Sequence, residues 1–148
     1  MHHSWPVRAE AGERVDLRLA NGARVIVLPL AGPASGGGAA AVQLWIGAGT
    51  SAEGPEEHGC AHLLEHMLFK PLPPGHVPKG STGDLASALE ALGGDSNAFT
   101  SHDETVVHAT VPARSAALAT TLIAAAVLRP ALAAATLAQE REVVVEEI

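Results

Sequence analysis

Two short runs near the amino end place apolar side chains at strand spacing: Val15-Asp16-Leu17-Arg18-Leu19 and Arg24-Val25-Ile26-Val27-Leu28. Such runs mark half-buried strands, and the Asn21-Gly22 pair between them predicts a hairpin turn. Ala31 to Gly38 is a Gly-rich loop too short to link domains, and Ala40 to Gly47 reads as a third strand, expected at the centre of the sheet. A polar Gly/Glu loop leads into a segment with helical spacing around His62 to Leu68, which a proline-rich loop, Lys70 to Gly80, follows. Ser81 or Thr82 is placed to cap a helix running to about Leu92, with Gly93-Gly94 as its stop. Ser96 to Thr100 and Glu104 to Val111 predict two further strands. Pro112 opens a long Ala-rich helix to Leu128, and Arg129-Pro130 breaks it before a final helix. The tally is an α+β fold with helices packed on one face of a mainly antiparallel sheet. There is no internal repeat.

The segment around His62 has an unusual polar face. At roughly 100° per residue, His58, His62, Glu65 and His66 fall within one arc, with Leu63, Leu64, Met67 and Leu68 on the other side. His62-Leu63-Leu64-Glu65-His66 reads H-x-x-E-H, the inverse of the H-E-x-x-H zinc motif. Two imidazoles at i and i+4 on a helix can hold zinc, and the adjacent carboxylate can take a proton from water. The competing reading is a solvated face, but grouping three histidines and a carboxylate opposite an apolar face argues against it. His58, at the helix start, reads as a first-turn polar residue rather than a ligand.

A catalytic zinc takes three protein ligands, so the third should come from another segment. The final helix offers four glutamates. With Val144 at the centre of its apolar face, Leu137, Glu140, Glu147 and Ile148 lie within about 60°, while Glu142 and Glu146 point to water. An inward carboxylate needs a cation or a hydrogen-bond donor. Zinc held by the other helix is one such partner for Glu140 or Glu147, and a salt bridge is the alternative.

Three stretches, in order, resemble the pitrilysin/insulinase family of zinc peptidases, and in particular its processing-peptidase branch. They are His58-Gly59-Cys60-Ala61-His62-Leu63-Leu64-Glu65-His66-Met67-Leu68-Phe69-Lys70, Leu89 to Ser101, and Glu140 to Ile148. The similarity runs from about Asp16 onward. It implies that His62, His66 and Glu147 are the ligands of one zinc ion, that Glu65 is the general base, and that Glu140 supports catalysis. It also implies that Asn97, Ala98, Phe99 and Thr100 form the edge strand along which an extended or unfolded peptide is laid and cleaved. Lys70 to Gly80 departs from the family pattern as a longer loop, which bears on the shape of the cleft and not on the ligands.

Composition changes this picture little. Apolar residues make up 47% and charged residues 17%, with a net charge of -7. An acidic chain of this kind is a poor nucleic-acid binder. With no tyrosine and few other aromatics, the core must rest on Leu, Val and Ala. The single cysteine, Cys60, excludes an intrachain disulfide and is expected to be a small buried residue. Met1 to Pro6 lacks the pattern of a secretory signal, and no apolar run is long enough to span a membrane, which makes a cytoplasmic location the default.

The resemblance also implies that residues 1–148 are the N-terminal, metal-binding part of a larger peptidase. Family members continue into a second similar domain with an Arg-Tyr pair that stabilises the transition state. The missing half, or a partner subunit, is then expected to be needed for turnover. The alternative function is a non-catalytic peptide-binding scaffold, a partner subunit or an inactive fragment, but the intact His62, Glu65, His66 and Glu147 favour the enzyme. A purely structural zinc site would need a fourth ligand. His102 and His108 read as substrate-face or core histidines instead.

Overall fold

The computed structural model describes residues 12–30 and 37–147. The readings made above for Met1 to Pro6, for most of the Ala31 to Gly38 loop and for Ile148 therefore lie outside the described residues. The chain divides into two compact units, Met1–Gly38 and Ala39–Ile148. In the first, β1 (Val15–Arg18) and β2 (Arg24–Val27) form an antiparallel hairpin, with Arg18 opposite Arg24. The turn at Asn21-Gly22 is closed by Gly22 N–H donating to Leu19 O and Leu19 N–H donating to Ala23 O. Asp16 accepts hydrogen bonds from Arg24 and Arg14, which hold its carboxyl well below the ordinary carboxylate range.

The second unit contains β3 (Ala39–Ile46), α1 (Cys60–Leu68), α2 (Leu85–Glu90), β4 (Asp95–Thr100), β5 (Thr105–Pro112), α3 (Ala116–Leu128) and α4 (Ala134–Glu147). Its sheet is antiparallel in the order β3-β5-β4. β5 is thus the middle strand, and β3, expected at the centre, lies to one side. Burial explains the order. Thr105, Val106, Val107, Ala109 and Val111 of β5 are all buried, whereas β3 alternates exposed and half-buried positions along its length.

Strand alternation sorts the sheet's two faces. Val107, Ala109 and Val111 join Leu85, Ala88 and Leu89 of α2 and Ala119, Leu122, Ile123 and Ala126 of α3 in one core, flanked by Val42, Leu44 and Ala98. Each fully buried leucine or isoleucine there contributes about 1.5–3 kcal/mol of hydrophobic stabilisation. On the opposite face Val106 sits in register between Trp45 and Phe99. The fold is mixed helix and antiparallel sheet, as its patterning predicts.

Two helix starts differ from expectation. The α2 cap is Asp84 rather than Ser81 or Thr82. Its carboxylate accepts from Ser87 N–H at 2.8 Å, and the Thr82 hydroxyl donates to it instead of capping the helix. Pro112 closes β5, and a single 3-10 turn, Ala113–Ser115, intervenes before α3. No helix among the described residues is long and apolar enough to cross a membrane.

Candidate metal centre and substrate cleft

Helix α1 begins at a glycine with no capping side chain of its own. Gly59 has a φ of 87°, a left-handed value that suits glycine, and offers the first turn no acceptor. Glu53 supplies it from six residues upstream: its carboxylate accepts from Gly59 N–H at 3.1 Å and Ala61 N–H at 2.8 Å. The Ala61 bond is the main reason the Glu53 pKa is lowered; burial opposes it, and the Gly59 bond adds to the lowering. The sequence contained a clue to this residue, since a helix led by glycine must find its acceptor elsewhere.

From that start, His62 and His66 project one turn apart, with ring centroids 4.8 Å apart and planes at 87°. Helix α4 packs across α1 and brings Glu147 to both rings. Glu147 Oε2 lies 3.4 Å from His62 Nε2 and 3.5 Å from His66 Nε2. As ion pairs on a half-exposed carboxylate these contacts would stabilise little. As lone-pair donors they converge, since one ligand atom from each of the three residues lies within 4.8 Å of the others. Tetrahedral zinc with bonds of ~2.0–2.1 Å needs donors ~3.3–3.4 Å apart, which two of the three edges already approach. Two imidazoles and a carboxylate also have the chemistry zinc selects, so the residues present fit that ion.

Glu140 meets the other nitrogen of His66. Its Oε2 lies 3.2 Å from His66 Nδ1, and its Oε1 accepts from Lys70 Nζ at 2.8 Å. The Lys70 hydrogen bond lowers the Glu140 pKa, partial burial pushes it up, and the His66 contact adds to the lowering. Lys70 stands four residues after His66, just past the end of α1, and no spacing rule in the sequence assigns it this contact. Along α4, Val144 is buried and Glu142 and Glu146 are exposed as expected, but Leu137 is exposed, so the buried stripe is narrower than the pattern suggests.

Glu65 faces the sheet. Its Oε2 accepts a 2.6 Å hydrogen bond from the Thr100 hydroxyl at the end of β4. Thr100, Phe99 and Ala98 line a cleft of about 490 Å³ with Glu65, His62, Gly59 and Thr50. Asn97 does not line it; its Oδ1 accepts from Ala98 N–H at 2.9 Å. β4 is an outer strand of its sheet, so one row of its main-chain groups faces away from β5. The loop carrying Thr50 is held by Thr50 and Ser51 N–H groups donating to Ser101 O and His102 O. A Cβ on Gly49 would lie 2.2 Å from Ser101 O, so only glycine lets the two loops meet. His58 is exposed and precedes the helix. Cys60, the first residue of the helix, is also exposed rather than buried.

Comparison with known proteins agrees with this architecture. The family Insulinase (Peptidase family M16) matches residues 33–148. The chain belongs to that family. An uncharacterised zinc protease of Mycobacterium tuberculosis is 42% identical over 109 residues, covering 74% of this chain and 24% of that protein. Mitochondrial-processing peptidase subunit beta of Mus musculus is 35% identical over 130 residues, covering 88% of this chain and 24% of that protein. The crystal structure of a protease from Helicobacter pylori superposes with a TM-score of 0.77 at 27% identity, covering 93% of this chain and 31% of that one. The chain thus spans about a quarter of the length of the curated relatives it matches.

Proposed function

We propose that this chain holds the zinc-binding and peptide-docking half-site of an endopeptidase that cleaves extended or unfolded polypeptides. The observation that carries the proposal is the meeting of His62, His66 and Glu147 beside Glu65, with a strand edge at the same cleft. His62, His66 and Glu147 would hold one zinc ion, with Glu140 behind His66. When bound, the ion supplies Lewis acidity that polarises a peptide carbonyl and makes water more acidic.

The chain's own groups do the rest. A substrate adds as an extra strand against β4 at Ala98 to Thr100, held mainly through main-chain hydrogen bonds. Such binding reads backbone rather than side chains and favours unfolded segments. Thr100 holds one oxygen of Glu65 and no hydrogen bond among the described residues reaches the other, so Oε1 is the atom that takes the proton of the attacking water and returns it to the leaving amine. Thr50 and Phe99 line the same cleft as Glu65. Turnover is expected to require the remainder of the enzyme or a partner subunit, consistent with the quarter-length match to relatives and with the name of the mouse relative as a subunit.

The test is cleavage of a quenched, unstructured peptide by the chain alone and together with the further domain or partner subunit this proposal calls for, each beside its Glu65→Gln variant. Cleavage lost on Glu65→Gln and on chelation, then restored by zinc, is the expected result. Full activity in Glu65→Gln would overturn the assignment of the base.

A further inference from the structure

We infer that Lys70 is a positioning residue: by holding Glu140 against His66, it fixes which imidazole nitrogen of His66 carries the proton. This deepens the zinc-site reading and rests on it for its functional consequence.

The argument begins with the two faces of one ring. His66 Nδ1 lies 3.2 Å from Glu140 Oε2, and His66 Nε2 lies 3.5 Å from Glu147 Oε2. A neutral imidazole has a single proton to place, and an ionised carboxylate only accepts. Two carboxylates compete for that proton: Glu140 is nearer, in hydrogen-bonding geometry at 3.2 Å, whereas Glu147 is half-exposed at 3.5 Å. With Glu140 in position the proton therefore sits on Nδ1 and Nε2 keeps its lone pair. A metal can use only the nitrogen that lacks the proton, so this tautomer is the one that binds.

Glu140 cannot hold that position by the His66 contact alone, because a glutamate has three rotatable bonds and one 3.2 Å contact is a weak restraint. Lys70 anchors the opposite oxygen, Oε1, at 2.8 Å. Glu140's side chain is only 13% exposed, so little water replaces that partner if it is removed. Lys70 itself follows directly on the turn that ends α1, where Lys70 N–H donates to Met67 O. One continuous stretch therefore supplies both the histidine and the cation that aims the carboxylate behind it. The order Lys70, Glu140, His66 is a chain of three side chains running from solvent to the metal centre.

The test uses the metal-free chain at about pH 8.5, roughly two units above the ordinary histidine pKa, where imidazoles are neutral. Long-range proton–nitrogen correlation spectra assign the His66 tautomer in the unsubstituted chain, Lys70→Met and Lys70→Arg. The expected result is Nδ1–H in the unsubstituted chain, a shift toward Nε2–H in Lys70→Met, and Nδ1–H regained in Lys70→Arg. Zinc titration should show affinity falling roughly ten- to a hundredfold in Lys70→Met and recovering in Lys70→Arg. Removing Lys70 leaves the largely buried Glu140 without its cation, so some loss of melting temperature is expected in the neutral variants, and Lys70→Gln gives a second neutral variant if Lys70→Met misfolds. An unchanged tautomer in both neutral variants would overturn the inference. If the tautomer follows Lys70 but the unsubstituted chain binds no zinc, the positioning role stands and the zinc reading fails.

Discussion

The Thr100 hydroxyl donates a 2.6 Å hydrogen bond to Glu65 Oε2. This bond ties the carboxylate proposed as general base to the strand proposed to receive the peptide, so base and substrate are set in one frame. Thr105 completes the support: its hydroxyl lies 3.3 Å from Thr100 Oγ1 and donates to Ala48 O at 3.0 Å.

Replacing Thr100 with valine keeps shape and removes the donor. In the peptide-cleaving protein, Thr100→Val is expected to lower kcat about ten- to a hundredfold, on the scale of losing a hydrogen-bond partner that orients a site group. KM and zinc content should change little, and Thr100→Ser should restore most of the rate. A raised KM with unchanged kcat would assign Thr100 to substrate binding instead.

Asp84 gives the fold an acid-sensitive joint. Burial pushes its carboxyl up, but hydrogen bonds from Ser87 N–H and from the Thr82 and Ser87 hydroxyls outweigh it, and its pKa is lowered. The unfolded chain therefore binds this proton more readily than the folded one. The stability Asp84 contributes is complete above its ordinary pKa and is lost as pH falls through the lowered folded value. Asp84→Ala should cost about 0.5–2 kcal/mol at pH 7. In urea unfolding across pH 7 to about 2, the gap between variant and parent should close toward the acid end.

Gly49→Ala is expected to disrupt the wall of the cleft. The added Cβ would meet Ser101 O at 2.2 Å and Glu104 N at 2.7 Å, both backbone atoms that cannot rotate aside. A loss of about 1–3 kcal/mol follows, read as a fall in melting temperature. Gly47→Ala, where a Cβ meets nothing within 4 Å, serves as the control.

Much of the site was legible because it is written in helical spacing. His62 and His66 are one turn apart, and Glu140 and Glu147 share a face two turns apart, so periodicity alone groups them. What escaped depends on contacts between distant segments. Glu53 caps α1 across a loop, and Thr100 meets Glu65 across thirty-five positions. The glycine before α1 hints that an acceptor is needed but not which residue supplies it, and the Thr100 contact has no local pattern at all. The strand order escaped for a similar reason: β3 and β5 are both apolar, and only pairing of β5 on both sides makes it the middle. Asp84 displaced Ser81 and Thr82 as the cap because the Pro71–Asp84 bridge fixes where the chain turns into α2.

The most direct measurement is anomalous scattering at the zinc edge from crystals of the chain grown with zinc. The account predicts one strong peak at bonding distance, ~2.0–2.2 Å, from a nitrogen of His62, a nitrogen of His66 and an oxygen of Glu147, with Glu140 on His66 and not on the metal. A peak held by Glu140 in place of Glu147, or no peak between α1 and α4, would contradict it.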